Sequence, residues 1–560
     1  MANTFTPDEQ TKINLLCSNY PPINDETTVT FHKLKYNKDI YIGECNNIGE
    51  RHGRGIYIWE NKNIFIGYFE HNKRNSKGKA IYADGDQYTG DWKDNKPHGI
   101  GKFIYKHKDG LNEDVYEGSF QNGLREGKGK YVYANGSVYE GEWKEGNKNG
   151  YGVLTTKNGF RYEGSFLNDY RHGDGKTLWE DGESYVGKYK NGKKSGYGIY
   201  TWGTTSGCYG SKYEGEWVDD KREGKGKIIY NEGEYVGEWK NDKKHGKGKF
   251  TWKDGVVYEG DYVSDLRSGY GVFTWRKDPQ GNYDKYEGNF KNDKRTGFGR
   301  YYYSNKAVYE GEFLNGFKHG FGIIKWKDGN KYEGNYKKGY RHGKGKFTYN
   351  TGSIYNGEWK LDERNGFGIM VWGKQTKLEG NKYEGYWLNS EISGKGTYYW
   401  KDGTIHDGNW KNGSANGYGV RKWGKDSKWS GDVYEGEWLN GEMNGNGKYT
   451  WADGCVIEGE FENGCVQGKG KKIWNNGDVY IGELKNEKMN GYGEIHFKKG
   501  NIFKGYFKNN KRKGRGEWFE AKTKKWKKGI WNDGLLVKWL DINDEEVANN
   551  IFNIYDMLIN

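Results

Sequence analysis

The sequence predicts an all-β protein, an elongated, twisted antiparallel β-solenoid of stacked hairpins ending in a short C-terminal capping helix. Three observations carry that expectation. A unit of 23 residues recurs through most of the chain, each unit alternates apolar and polar residues with period 2, and turn dipeptides fall at two fixed places in it. Residues 139–161, YEGEWKEGNKNGYGVLTTKNGFR, and 162–184, YEGSFLNDYRHGDGKTLWEDGES, show two units in succession. Composition agrees: 17% aromatic residues oppose the disorder that 30% charge would favour, while 91 glycines and 5 prolines point to many turns with few breaks in pairing.

The elements follow in chain order. Residues 1–30 read as a flexible arm and residues 31–40 as a lead-in strand. Units then open at Tyr41, Phe65, Tyr88 and onward to Phe503, twenty in all, with a half-copy at Trp526. They fill residues 41–534 as one continuous solenoid. Counting from the opening tyrosine, positions 1, 3 and 5 are tyrosine, glycine and an aromatic, the buried face of a first strand. Positions 7 and 8 form a turn. Positions 12, 14, 16 and 18 (Gly246, Gly248, Phe250 and Trp252 in one copy) lie along a second strand, and an Asp-Gly or Asn-Gly pair follows at 20 and 21. The glycines at 3, 12 and 14 are expected to share the aromatic face and leave room for rings of neighbouring strands. A lone hairpin is marginal in water, so stability must come from stacking.

The copy YVGEWKNDKKHGKGKFTWKDG, Tyr235–Gly255, resembles the membrane occupation and recognition nexus (MORN) repeat through Tyr235-x-Gly237-x-Trp239, Asn241, Lys244 and His245-Gly246-x-Gly248. Two units depart at position 1, with His406 and Ile457. The resemblance implies elongated β scaffolds found at membrane junctions, in the protist cytoskeleton and in ciliary radial spokes, or fused to enzymes such as lipid kinases and a lysine methyltransferase. The frequent Asn, Lys and Ile fit a protist with an AT-rich genome.

Residues 535–560 read as an amphipathic helix whose Val547, Ile551, Ile554 and Leu558 share one face. It would cap the open end of the stack, which otherwise invites self-association end to end or side by side, or dock on another copy or a partner. Just before it, residues 498–528 hold 13 Lys or Arg and 2 Glu, nearly all of the net charge of +13. Lys504, Lys508, Lys511, Arg512, Lys513, Arg515, Lys522, Lys524, Lys525, Lys527 and Lys528 form the candidate anion-binding tip. Acidic phospholipid, an acidic tubulin surface or another anionic partner would fit it, and so would protection of an end strand against aggregation.

A second basic feature recurs at the turn within each hairpin, as in Lys73-Arg74, Arg171-His172, Lys221-Arg222 and Arg341-His342. It would line one edge, as a ladder for an anionic surface or as ordinary turn polarity. Five connections are lengthened by five residues, among them 203–212 and 373–382, and read equally as recognition loops or tolerated insertions.

Catalytic patterns are missing from the sequence. Each Gly-x-Gly lies inside a hairpin rather than before a helix, and Gly175-Lys176-Thr177 has Tyr170 where a phosphate loop needs glycine. Histidines one repeat apart stand too far from each other to share a metal. No cofactor is expected. Aromatics consigned to the core argue against nucleic-acid stacking. Five cysteines without CxxC spacing, and no long apolar run, point to a soluble protein of a reducing compartment.

Overall fold

The computed structural model describes residues 5–21, 30–108 and 111–540. Apart from one helix, the described elements are strands. The chain divides into two compact units, residues 1–276 with 291–293, and residues 277–290 with 294–560. In the first, each strand pairs antiparallel with the next, from β1 (Thr30–Tyr36), β2 (Asp39–Cys45) and β3 (Arg51–Ile58) to the strand Leu266–Thr274. In the second, the same consecutive pairing runs from Lys294–Tyr302 to Leu535–Trp539.

One repeat explains the rest. The strands Gly233–Lys240 and Lys243–Trp252 pair Tyr235 with Phe250 and Gly237 with Gly248. Between Gly237 and Trp239 the register slips, because residues 245–247 face Glu238 alone, which makes a β-bulge. The next strand then aligns Gly248 with Gly260 and Phe250 with Tyr258. A file of glycines therefore crosses the strands. The Tyr235 ring lies over both Gly237 and Gly248, and a Cβ at either would overlap it. Its hydroxyl donates to the Glu238 carbonyl at 3.0 Å, a group the bulge removes from the ladder. Sixteen repeats open on tyrosine, and each repeats this bond, from Tyr41 to Glu44 (2.7 Å) through Tyr480 to Glu483 (2.7 Å).

The ring over Gly248 comes from the neighbouring strand, as expected, and the same Tyr235 ring covers Gly237 of its own strand. One glycine expectation needs correcting. Position 12 does not share the aromatic face: Gly246 has φ +62 at the bulge, and a side chain there would strike Glu238 on the other face. The two extra residues of the bulge interrupt, between positions 10 and 14, the alternation that period 2 predicts.

Consecutive repeats are locked by rings. Trp239 stands edge-on to Tyr213 of the preceding repeat, centroids 5.4 Å apart, as well as to its own Tyr235 at 5.3 Å. Its indole N–H donates to the Gly226 carbonyl at 3.3 Å. Hairpin turns use left-handed pairs such as Asn241 and Asp242, φ +49 and +67, which match strand twist and suit Asn, Asp and Gly. Asp242 also accepts from the Arg222 amide of the previous turn at 3.0 Å.

The N-terminal stretch expected to be a flexible arm contains α1 (Pro7–Asn19). Thr6 and Glu9 form a reciprocal capping box with Pro7 in the first turn, a start signal that a search for long apolar runs passes over. Ile13 and Leu16 are buried. Residues 535–539, assigned to the terminal helix, are instead the strand Leu535–Trp539 paired with Lys525–Asn532. Val547, Ile551, Ile554 and Leu558 lie outside the described residues. Among the described residues no helix is long and apolar enough to cross a membrane.

Candidate binding surfaces

The sheet has an inner face, carrying positions 1, 3 and 5, and an outer face, carrying positions 2, 4, 13 and 15. Inner-face cations are largely committed to the fold. The position-10 residue of the basic ladder folds inward: Arg222 lies 4.3 Å over the Trp239 ring and donates to the Asp242 carbonyl at 2.7 Å. Arg125, Arg341 and Arg364 stand in the same way over Trp143, Trp359 and Trp387, at 4.2, 4.3 and 4.3 Å. Burial pushes the Lys194, Lys244 and Lys318 ammonium groups and the Arg74 and Arg364 guanidinium groups below their ordinary pKa values. Half of the expected edge ladder is therefore a set of clamps between repeats. The position-9 partners, such as Lys73 and Lys221, remain exposed, and Lys73 pairs with Asp94 at 2.7 Å.

The clamp is missing at Pro97 and then over one longer stretch. Position 10 is Ile392, Ala415, Met443, Val466 and Met489 in five successive repeats. Beside Ala415 the cation comes from another position: Arg421 reaches across to lie 4.0 Å over Trp438. Its strand partner is His406, fully buried in place of the opening tyrosine, with neither ring nitrogen hydrogen-bonded. Burial, then the charge of Arg421, pushes the His406 pKa down to about 3.

On the outer face, position-4 carboxylates cap the bulge: Asp91 accepts from the Ile100 amide at 2.8 Å and Asp261 from the Tyr270 amide at 3.0 Å. Glu238 likewise accepts from the Lys247 amide at 3.3 Å. Position-2 glutamates do face lysines or arginines across strands, as in Lys249–Glu259 (3.5 Å), Arg300–Glu310 (3.1 Å) and Lys448–Glu458 (3.3 Å). Such exposed pairs contribute little stability.

The outer face also carries aromatics, contrary to the expectation that they lie in the core. Tyr151, Tyr197, Tyr270, Phe298, Phe321, Phe367, Tyr418 and Tyr492 all occupy position 13 and are exposed. Alternation from the inward glycine at position 14 places position 13 on the outer face, a signal usable from the sequence, and several of their hydroxyls donate to the next position-2 glutamate, Tyr151 to Glu163 at 2.7 Å and Tyr418 to Glu435 at 2.6 Å. In the second unit the glycine file floors an outer groove of about 650 Å³, with Lys469, Lys471, Ile481, Tyr492 and Lys504 among its walls.

The structure takes the basic tip apart. Arg512 is a clamp, over Phe503 at 5.4 Å and bonded to the Gly534 carbonyl at 3.0 Å. Lys511 pairs with Asp533 at 2.8 Å, Lys504 with Glu494 at 2.9 Å and Lys527 with Glu520 at 3.3 Å. Lys508 is exposed at the end of the strand Ile502–Lys508, and Lys513 is half-buried at position 11. Lys522 and Lys524 lie in the turn before the strand Lys525–Asn532, which Lys525 begins, and all three are exposed. Arg515 and Lys528 belong to the outer face, Lys528 opposite Glu517. The cluster is split between two faces and a turn, and only Lys522, Lys524 and Lys525 stay together as an exposed cationic group.

Three lengthened connections share one sequence and one form: Trp202-Gly203-x-x-Ser206, Trp372-Gly373-x-x-Thr376 and Trp423-Gly424-x-x-Ser427, each with a glycine four residues further on. Each folds back on the preceding inter-repeat turn. The Thr204 amide donates to the Asp181 carbonyl at 2.9 Å, Gly373 to the Ser353 hydroxyl at 2.9 Å, and Gly424 to the Thr404 hydroxyl at 3.1 Å. Their exposed tips differ, carrying Tyr209, Leu378 and Trp429.

Fold and surface together define a repeat-built β protein of the binding or scaffold class. Twenty stretches between residues 48 and 518, including 139–161, 235–257 and 503–518, match the MORN repeat, and the chain belongs to the MORN repeat family. No curated protein sequence matches the chain. Among solved structures it is similar to the TCP domain of SAS-4 in complex with a proline-rich motif of Ana2 from Drosophila melanogaster. That likeness has 12% identity over 38% of this chain and 84% of the other, with a TM-score of 0.12. It is also similar to a catalytically inactive virginiamycin B lyase from Staphylococcus aureus with quinupristin, at 10% identity over 67% and 98%, TM-score 0.09. Likenesses this slight carry no argument.

Proposed function

We propose that the chain is a non-enzymatic scaffold that organises protein assemblies on the cytoskeleton, at the cell cortex or in the ciliary axoneme. One observation carries the reading. Inner-face rings, glycines and clamping cations are committed to the fold, while exposed apolar groups stand at variable positions, at position 13 in nine of the twenty repeats (the others carry polar or charged residues there) and at the three loop tips. Such groups on a rigid sheet suit protein partners. The cytoskeletal setting comes from the family resemblance alone.

The rival reading, a peripheral adaptor for acidic phospholipid, rests on Lys522, Lys524, Lys525 and their neighbours. The dispersal of the tip weakens it. A targeting subunit for a separate lipid kinase is a third reading, and a stoichiometric catalytic partner on purification would favour it. Two measurements decide between scaffold and adaptor: retention in the detergent-resistant cytoskeletal fraction, and flotation with phosphoinositide vesicles at about 0.05 and 0.15 M salt. Retention without flotation is expected. Flotation at the higher salt, abolished when Lys522, Lys524, Lys525 and Lys528 become Gln, would make the protein a membrane adaptor.

A further inference from the structure

The chain covers the apolar outer face of its first repeats itself, since α1 packs against β3 and Ile42, Ile56 and Tyr68 are buried there. The inner face is likewise self-satisfied at its clamps. Ten clamping arginines, from Arg51 to Arg512, each donate through Nη2 to the carbonyl at the next hairpin turn, Arg125 to Gly146 at 2.6 Å and Arg341 to Asp362 at 2.8 Å among them.

Arg421 departs from this pattern. It sits at position 16, held by an uncharged residue in eighteen of the twenty repeats, and its guanidinium lies between two indoles, 4.0 Å over Trp438 and 5.2 Å from Trp400. Among the described residues it makes no hydrogen bond and no ion pair. Its Nε is buried without an acceptor, while the two Nη groups reach the surface. No carboxylate offsets the burial, which pushes its pKa down to about 10. Position 10 of this repeat is Ala415 and position 1 is His406, so three linked changes bring the cation here. The exchange recurs two repeats on, where Ile457 opens the repeat, Val466 takes position 10 and Lys472 takes position 16. The Lys472 ammonium lies 5.3 and 5.9 Å from the Trp451 and Trp474 rings, and it too has no hydrogen bond or ion pair among the described residues.

We propose that Arg421 and Lys472 form an inner-face site for carboxylates, filled by an acidic segment of a protein partner. The site rests on the scaffold reading and gives that partner its chemistry. A half-buried cation without a partner is desolvated to no gain, and an approaching carboxylate supplies the missing hydrogen bonds. The guanidinium fork matches a planar carboxylate, and each place offers one cation, which suits one Asp or Glu better than a dianionic phosphate. Four strand spacings of ~4.8 Å set the two cations about 19 Å apart. That is too far for one small acid to bridge, but it is the span of two acidic side chains about six residues apart on an extended segment.

Fluorescence anisotropy tests this with the full-length protein and labelled peptides of about twelve residues, alternating Glu-Gly or Gln-Gly, at about 0.15 M salt. The Glu peptide should bind and the Gln peptide should not. His406→Tyr with Ala415→Arg and Arg421→Tyr recreates the trio Tyr116, Arg125 and Tyr131 of an earlier repeat and leaves the net charge unchanged. That variant should fold, cap the Gly441 carbonyl as Arg222 caps Asp242, and bind the Glu peptide roughly tenfold more weakly. Lys472→Gln should weaken binding several-fold on its own, and it carries the test if the triple variant misfolds. Equal affinity in wild type and variants, or no binding by the wild type, would overturn the proposal. So would displacement by free glutamate at the same carboxylate concentration, which assigns the site to a small acid. Tighter binding of an oligothymidylate that the triple variant also loses would overturn it in favour of nucleic acid. Only purified protein and peptide take part, so failure here leaves cytoskeletal retention, and the scaffold reading with it, to its own test.

Discussion

The opening tyrosine does more than fill space. Its ring excludes a Cβ from two facing glycines, and its hydroxyl satisfies a carbonyl that the bulge leaves unpaired. His406 shows what happens without it, since the imidazole is buried, lacks partners and has no hydroxyl for the Asn409 carbonyl. Its folded pKa, about 3, lies below its ordinary 6.5, so the folded state binds fewer protons than the unfolded. Stability is complete above pH 6.5 and declines as pH falls toward 3. At pH 5 the local loss is about 2 kcal/mol. Hydrogen exchange of the strands Ile405–Lys411 and Ser414–Lys422, corrected for intrinsic rates, should rise between pH 7 and 5 relative to the strand Gly233–Lys240. His406→Tyr should remove that pH dependence and stabilise the strands at pH 7 by about 1 kcal/mol.

Each hairpin is held to the next by a cation laid on a ring and by edge-to-face aromatic contacts, individually about 0.5–2 kcal/mol. Adjacent residues of one turn therefore differ sharply in consequence. Arg222→Ala should cost about 2 kcal/mol, because it removes the cover of Trp239 and uncaps the Asp242 carbonyl. Lys221→Ala, at an exposed site, should stay within about 0.5 kcal/mol. Exchange protection of Gly233–Lys240 reads the difference directly, as a loss of roughly thirtyfold against almost none. A basic ladder built for an anionic surface would instead leave both stabilities unchanged and weaken only binding.

Across the molecule, stability is a sum of repeats and of interfaces between neighbours. Removing Tyr235–Val257, one whole unit, keeps every aromatic on the inner face and joins Glu234 to Tyr258 as Val257 joins it now. The shortened chain should fold, with strand content by circular dichroism reduced in proportion. Removing Lys243–Trp252 alone takes out a single strand and forces two first strands to pair in the wrong direction. That chain should lose protection around the cut and aggregate.

Much of this was legible beforehand. The period, the hairpins, the Asp-Gly and Asn-Gly turns and the aromatic core are written in residue types at fixed spacing, because turn dihedrals and one-sided burial act on neighbours in the chain. The bulge was not, since it appears only when one strand is laid against another and three residues face one. With it went the true place of position 12 and the capping role of Glu238. The helix at Pro7–Asn19 carried its capping box in plain letters, yet its burial depended on an outer face that the repeat pattern does not describe. Charge told least: residues 498–528 form one basic run along the chain, but strand alternation sends Arg512 under a ring, Lys528 outward and Lys524 into a turn. The sequence by itself determined the repeat and its core, which are local and periodic. Tertiary structure alone decided which cations lie over rings and which carboxylates cap the bulge, because that depends on pairing between strands.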